Sequence, residues 1–167
     1  MPTSRKIIQM KAKLLKVSVL TLIISITPLA AWATLGEDSN SIMNDANVLN
    51  AKVSQATDYS VAGANSSTPY QTNVLETANG ITIKQFVYNG KVFAVAWHGS
   101  HVPDQNQLFG KYFATLQNAT PSYKSVSARQ VNSNDFISAT NGWMGHYEGK
   151  ALIPSLAPAN VSINNVK

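Results

Sequence analysis

Residues 70–97 have the sequence YQTNVLETANGITIKQFVYNGKVFAVAW, which contains three runs typical of β-strands. Short turn sequences separate the runs, Ala78-Asn79-Gly80 first and Asn89-Gly90 second. Asn-Gly between two strand-like runs is a strong hairpin signal, because both central residues of a type I′ turn need a positive φ. The sequence therefore predicts a three-stranded antiparallel meander over residues 70–97.

Alternation along the third run assigns its side chains to two faces of the sheet. The two sets are Phe93, Val95 and Trp97 on one face, and Val92, Ala94 and Ala96 on the other. Because the second set contains two alanines, we expect a helix to pack closely against that face.

Helices are predicted on both sides of the meander along the chain. Asp104 is placed to cap the N-terminus of the second helix, residues 103–116, where a carboxylate satisfies exposed N–H groups. Gly110 lies inside that helix and indicates close packing. The first helix, residues 41–55, is predicted from apolar side chains at spacings of four, three and four: Ile42, Ala46, Leu49 and Val53.

Residues 125–153 are predicted to add C-terminal strands, with Asn141-Gly142 as a turn between two of them. Residues 56–69 are small, polar and glycine-containing, and they predict a loop. The order of helix, meander, helix and strands indicates an α+β domain, in which one or two helices pack on an antiparallel β-sheet.

Residues 1–33 have the pattern of a secretory signal peptide. Five basic residues precede an uncharged run at 17–29, and the small-residue pattern Ala31-Trp32-Ala33 follows. The uncharged run is at the short limit for spanning a bilayer, which disfavours an uncleaved anchor. We therefore predict cleavage after Ala33, leaving residues 34–167 as a single exported domain, periplasmic or secreted, without stable membrane insertion.

The charge balance depends on that cleavage. The whole chain has 13 Lys and Arg against eight Asp and Glu, but five of the basic residues lie within residues 1–33. The remaining domain is neutral, so it lacks the basic surface typical of nucleic-acid binding, and no nucleic-acid partner is predicted. The chain contains no cysteine, which excludes disulfides, thiol catalysis and cysteine-ligated metal sites.

Residues 98–104, HGSHVPD, contain the first candidates for chemistry. His98, His101 and Asp104 could bind zinc if their side chains converge. A histidine base near Ser100 could support acyl transfer, although the G-x-S-x-G pattern is absent. In the simpler interpretation Asp104 caps a helix and the histidines are solvated, so no catalytic residue, metal ligand or cofactor is predicted, and an enzyme is the less favoured interpretation.

Residues 141–149, NGWMGHYEG, bring aromatic side chains together between glycines. Such side chains offer a large, rigid, amphipathic surface for a sugar or a peptide. The alternative is that every second residue faces the core, as in any strand. The candidate surface binding residues from both clusters are Trp97, His98, His101, Trp143, His146 and Tyr147.

Four segments carry a family resemblance: GKVFAVAWHGSHVPDQNQLFGKYF (90–113), Leu35-Gly36, GWMGHYEGKALIP (142–154) and PANVS (158–162). They are similar to the proteobacterial exported proteins grouped as domain of unknown function 2844. The resemblance implies one small exported domain from a Gram-negative bacterium and attaches no activity to it. His98 and His101 lie where the family pattern does not require histidine, which weakens the metal hypothesis.

Together these observations favour a non-catalytic cell-envelope binding or accessory domain whose partner is an envelope protein or a cell-wall component. Two alternatives remain open. One is a small periplasmic hydrolase that uses His98 or His146 as its base. The other is a metal-binding protein that uses His98, His101 and His146 as ligands.

Overall fold

Seven antiparallel strands form one sheet, and their order across it is β1-β2-β3-β4-β7-β6-β5. With the helices described below, this sheet confirms the predicted α+β class. The predicted meander has a fourth strand, because β1 pairs with β2 along its length. The strands are β1 (Ala51–Ser60), β2 (Pro69–Thr77), β3 (Ile81–Tyr88), β4 (Lys91–Gly99), β5 (Arg129–Asn132), β6 (Ile137–Trp143) and β7 (His146–Leu152).

The structure is a computed structural model that describes residues 35–60, 69–119 and 128–167. The predicted signal peptide and its cleavage site lie outside these ranges, as does most of the predicted loop at 56–69. Residues 56–60 of that loop are instead the end of β1.

The first predicted helix, residues 41–55, is wrong beyond Val48. Helix α1 spans Ser41–Val48, and β1 begins at Ala51. Asn50 lies between them with φ of 49°, a left-handed conformation that ends a helix. Val53 does face the same core as α1, but it does so from a strand paired with Leu75.

The second predicted helix, residues 103–116, is interrupted. It consists of α2 (Gln105–Phe109), a 3-10 turn (Gly110–Tyr112) and α3 (Phe113–Asn118). Gly110 has φ of 47° and ψ of −118°, a conformation that glycine adopts readily and a right-handed helix excludes. The glycine therefore marks a break in the helix.

The predicted turn at Asn89-Gly90 is confirmed. Both residues have positive φ, 49° and 74°, and they join β3 to β4. The predicted turn at Asn141-Gly142 is wrong, because β6 continues through Trp143 and the chain reverses at Met144-Gly145. Glycine is needed at position 142 for a steric reason. A side chain there would overlap the ring of Tyr147, the partner of Gly142 on β7.

A β-bulge changes the predicted faces of β4. Phe86 pairs with Ala94, but Val87 pairs with Val92, so Phe93 is an extra residue in β4. Phe93 therefore packs on the same side of the sheet as Ala94, not with Val95 as predicted.

The helices pack against the face of β4 that carries Val95 and Trp97. One core cluster joins these two residues to Ile42 of α1 and to Leu108 and Phe109 of α2. Neither predicted helix covers the alanine face, and the helical turn that lies there is a 3-10 turn at Ile163–Asn165. Residues 154–167 cover part of that face instead, through a smaller cluster that includes Phe86, Phe93, Ala94, Leu152 and Val166.

Candidate functional site

The alanine face of the sheet carries a groove of about 430 Å³ where residues 154–167 leave it uncovered. Strands β3, β4, β6 and β7 and the C-terminal residues contribute to its lining. We call it the lysine groove, because three lysines contribute to its lining. The lining residues include Lys84, Ala96, His98, Glu148, Lys150 and Lys167.

Strand register fixes the arrangement inside the lysine groove. Lys84 pairs with Ala96, and Ala96 pairs with Lys150, so the two lysines flank a small residue on one face. His98 pairs with Glu148 two residues further along β4 and β7, and therefore lies on the same face. Ala96 adds little bulk between the lysines, which keeps the floor of the groove low.

A second depression of about 400 Å³ adjoins the groove at the tip of the β6–β7 hairpin. We call it the hairpin pocket. The rings of Trp143 and His146 lie 5.8 Å apart between centroids at this tip, and Trp143 is 62% exposed. The pocket shares His98 and Glu148 with the groove, and its lining includes His98, Ser100, Trp143, His146, Tyr147 and Glu148.

Three of the six residues predicted to bind at the surface thus meet at this pocket on one face of the sheet: His98, Trp143 and His146. Tyr147 also lines the pocket, but its ring lies beside Gly142 and packs against the core on the helix side. Trp97 does not join them at the surface. It is 2% exposed and faces the helices, so its assignment to the surface is wrong. The physical reason is that Trp97 lies one residue from His98 in β4, and neighbouring side chains in a strand point to opposite faces.

His101 is exposed in the connection between β4 and α2, and it lines neither depression. Its Nδ1 lies 2.8 Å from the Oγ of Ser100. Asp104 caps α2, as the sequence predicts, by accepting hydrogen bonds from the backbone N–H groups of Asn106 at 2.9 Å and Gln107 at 3.2 Å.

The histidines proposed as metal ligands do not form a metal centre with one another. Within residues 35–60, 69–119 and 128–167, no three His, Asp or Glu side chains are grouped in a way that could hold a metal ion. The carboxylate of Asp104, the third member of the predicted zinc set, accepts hydrogen bonds from the helix backbone instead.

Comparison with known protein families gives a match over nearly all of the residues that the structure describes. The family described as Protein of unknown function (DUF2844) matches residues 31–166. The chain belongs to this family. No curated protein and no solved structure matches the chain. None of the helices in the described part of this DUF2844 member is long and apolar enough to cross a membrane.

The DUF2844 domain also contains a buried carboxylate that the sequence analysis did not identify. Asp45 of α1 is fully buried. Its Oδ1 accepts a hydrogen bond from Nε2 of Gln107 at 2.6 Å, and its Oδ2 accepts one from Nε2 of Gln85 at 3.0 Å. Burial raises the pKa of Asp45 to about 7, although both hydrogen bonds oppose the rise. A signal was present in the sequence, since Asp45 lies between Ile42 and Ala46 on the apolar face of α1.

This carboxylate connects α1, α2 and β3 on the helix side of the sheet, away from the lysine groove. Oε1 of Gln85 is buried without a hydrogen-bond partner in the described structure. Rotation of that amide by 180° would turn Oε1 towards Asp45, where it could accept a hydrogen bond from the protonated carboxyl group. The cluster therefore holds α1, α2 and β3 together and is not placed to contact a ligand.

Proposed function

We propose that this chain is a non-catalytic binding domain of the cell envelope, and that the hairpin pocket and the lysine groove hold its partner. The observation that carries this proposal is the convergence of His98, Trp143 and His146 from three strands in one pocket. Met144 at the hairpin tip is 94% exposed, which extends the apolar surface beside Trp143. Contiguous exposed apolar surface of this kind marks interaction sites, and tryptophan is enriched where partners bind.

Export is the second part of the proposal. The basic, uncharged and small-residue segments of residues 1–33 support cleavage after Ala33 and a periplasmic or secreted location. Sequencing the N-terminus of the protein recovered from the envelope fraction tests this directly. We expect the mature chain to begin at Thr34, and a chain that retains Met1 would contradict cleavage.

Crosslinking from defined positions tests the binding surface. A photoreactive residue at position 143 should give adducts with an envelope component, because Trp143 is at the rim of the hairpin pocket. The matched control is position 43 on α1, where Met43 is 59% exposed. His146→Ala should reduce the adducts formed from position 143. Equal adducts from both positions would mean that the pocket is not the binding surface.

A hydrolase is the second candidate. The predicted bases, His98 and His146, make no hydrogen bond to a serine or a carboxylate in the described ranges. The contact between Ser100 Oγ and His101 Nδ1 at 2.8 Å favours a hydrolase that uses His101 instead. A serine nucleophile needs a base that a third group orients. In the described part of the chain, no residue other than Ser100 forms a hydrogen bond with the His101 side chain. We expect no hydrolysis of a panel of ester and amide substrates above background. Turnover that Ser100→Ala abolishes would replace the binding proposal with this one.

A further inference from the structure

We propose that the lysine groove binds an acidic oligosaccharide, whose acid group lies between Lys84 and Lys150 and whose sugar rings extend towards Trp143. This inference rests on the proposed binding function and specifies its ligand class.

The first step is the placement of two cations around a gap. Lys84 on β3 and Lys150 on β7 are both partners of Ala96 on β4, so their Cα atoms are two strand spacings apart, about 10 Å. A lysine side chain is long and flexible enough for both ammonium groups to approach one anion above Ala96. The alanine leaves space for that anion.

The second step is the charge of the groove. Its lining includes the side chains of three lysines, Lys84, Lys150 and Lys167, against a single side-chain carboxylate, Glu148. No ion pair or hydrogen bond joins these lysines to another side chain in the described ranges. Three unpaired cations from different parts of the chain repel one another, and a bound anion would relieve that repulsion.

The third step concerns the middle of the site, where the ligand must offer more than negative charge. His98, Glu148 and Asn141 form the next row, because His98 and Asn141 are both partners of Glu148. The carboxylate of Glu148 accepts hydrogen bonds from hydroxyl groups but repels a second anion. The row therefore disfavours a continuous polyanion and suits a ligand rich in hydroxyl groups.

The fourth step is the aromatic end. His146 on β7 is four residues from Lys150, which corresponds to about 13 Å along a strand. Trp143 is the partner of His146, and its exposed ring offers a flat apolar surface. The C–H face of a sugar ring can stack on this indole while the acid group of a neighbouring sugar reaches the lysines.

An acidic peptide fits these features less well. Strands β3, β4 and β7 in the floor of the groove are paired on both sides, and β6 is paired on both sides from Ile137 to Thr140. Their backbone groups are therefore committed to the sheet, and a peptide cannot add there as a further strand. Recognition depends on side-chain donors and acceptors, which suit hydroxyl and carboxylate groups.

Titration of the purified protein with defined probes tests the inference. The probes are 3′-sialyllactose, which carries a single carboxylate on its terminal sugar, the neutral trisaccharide maltotriose and tri-glutamate. Binding of each probe is followed by the backbone NMR signals of residues in the groove. We expect 3′-sialyllactose to bind more tightly than either of the other probes, and its affinity to fall as salt is added. Tighter binding of tri-glutamate would overturn the assignment to a saccharide.

Variants separate the roles of the residues. Lys84→Gln and Lys150→Gln should each weaken 3′-sialyllactose binding at least about tenfold, the effect of losing a hydrogen bond to a charged group. Lys111→Gln removes an exposed lysine outside the groove and should leave the affinity unchanged. An unchanged affinity in both groove variants would overturn the inference.

Failure of the inference is distinguishable from failure of the binding function. Binding of maltotriose that Trp143→Ala weakens and both lysine variants leave unchanged would retain a binding pocket but exclude an acidic ligand. If no probe shifts any groove signal while position 143 still forms specific envelope adducts, the ligand class is wrong and the binding function stands. If those adducts are also absent, both fail.

Discussion

Gly149 on β7 lies opposite Trp97 on β4, and the indole ring occupies the space where a side chain of residue 149 would lie. Gly149→Ala should therefore lower the free energy of unfolding by about 1–3 kcal/mol, because the added methyl group overpacks a buried aromatic contact. Urea unfolding monitored by circular dichroism measures the change.

A double-mutant cycle gives the control for that prediction. Trp97→Phe shortens the ring that the new methyl group would overlap, so Gly149→Ala should cost less in the Trp97→Phe background than in the wild type. An equal cost in both backgrounds would show that the loss at position 149 does not come from contact with Trp97.

The buried carboxyl group of Asp45 predicts a dependence of stability on pH. Its pKa is about 7 in the folded protein against an ordinary value of 3.8, so between these values the folded state holds a proton that the unfolded state has released. The contribution of Asp45 to the free energy of unfolding should therefore fall as the pH rises through this window, by up to about 4 kcal/mol, and become constant above it. Urea unfolding at pH 5 and pH 8 covers the upper part of this window and should show a fall of about 3 kcal/mol from Asp45.

Asp45→Asn isolates that effect, because an amide does not titrate. We expect the variant to lose the part of the pH dependence that Asp45 contributes. Its new N–H group can donate to the unpartnered Oε1 of Gln85 after rotation of that amide. Asp135→Asn, at an exposed position before β6, is the matched control and should retain the wild-type decline. The assignment fails if Asp45→Asn shows the same decline as the wild type.

Removal of the α2 cap should have a measurable cost. Asp104→Ala removes the acceptor for the N–H groups of Asn106 and Gln107 and should lower the free energy of unfolding by about 1 kcal/mol. Asp104→Ser keeps a capping oxygen and should lose less. Equal losses in the two variants would show that capping is not the source.

The two tryptophans of the described sheet should behave in opposite ways. Trp143→Ala should change the free energy of unfolding by no more than about 0.5 kcal/mol, since the side chain is 62% exposed, while reducing partner binding. Trp97→Ala should cost about 3–5 kcal/mol, because Trp97 is in the core. Urea unfolding compares the two variants, and similar losses of stability would show that the Trp143 side chain packs in the fold instead of lying exposed.

Local patterns were sufficient for part of the fold. The Asn89-Gly90 turn and the Asp104 cap depend on residues adjacent in the chain, and both were predictable from short motifs. The end of α1 was not, because Val53 continues the helical spacing while lying in a strand. The face on which Phe93 lies could not be predicted either, because a bulge depends on how two strands pair and not on one strand alone.

The candidate site was also predictable from the sequence only in part. The aromatic residues of the hairpin pocket belong to two short clusters that the sequence makes visible. The pairing of Lys84 and Lys150 around Ala96 depends on the β4–β7 ladder, which joins distant parts of the chain. The burial of Asp45 likewise depends on glutamines from two other elements, so neither feature follows from local sequence.

The sheet order also bears on how the chain folds. Strands β1 to β4 are each paired with their neighbours in sequence, and β5 to β7 form a second such ribbon. One ladder, β4 with β7, joins the ribbons. Until β7 docks, the first ribbon exposes the edge of β4, whose residues from Val92 to Trp97 are buried in the finished sheet. A partly folded chain with this edge exposed would be prone to self-association. Pairing of β7 with β4 covers the edge and removes that route to aggregation.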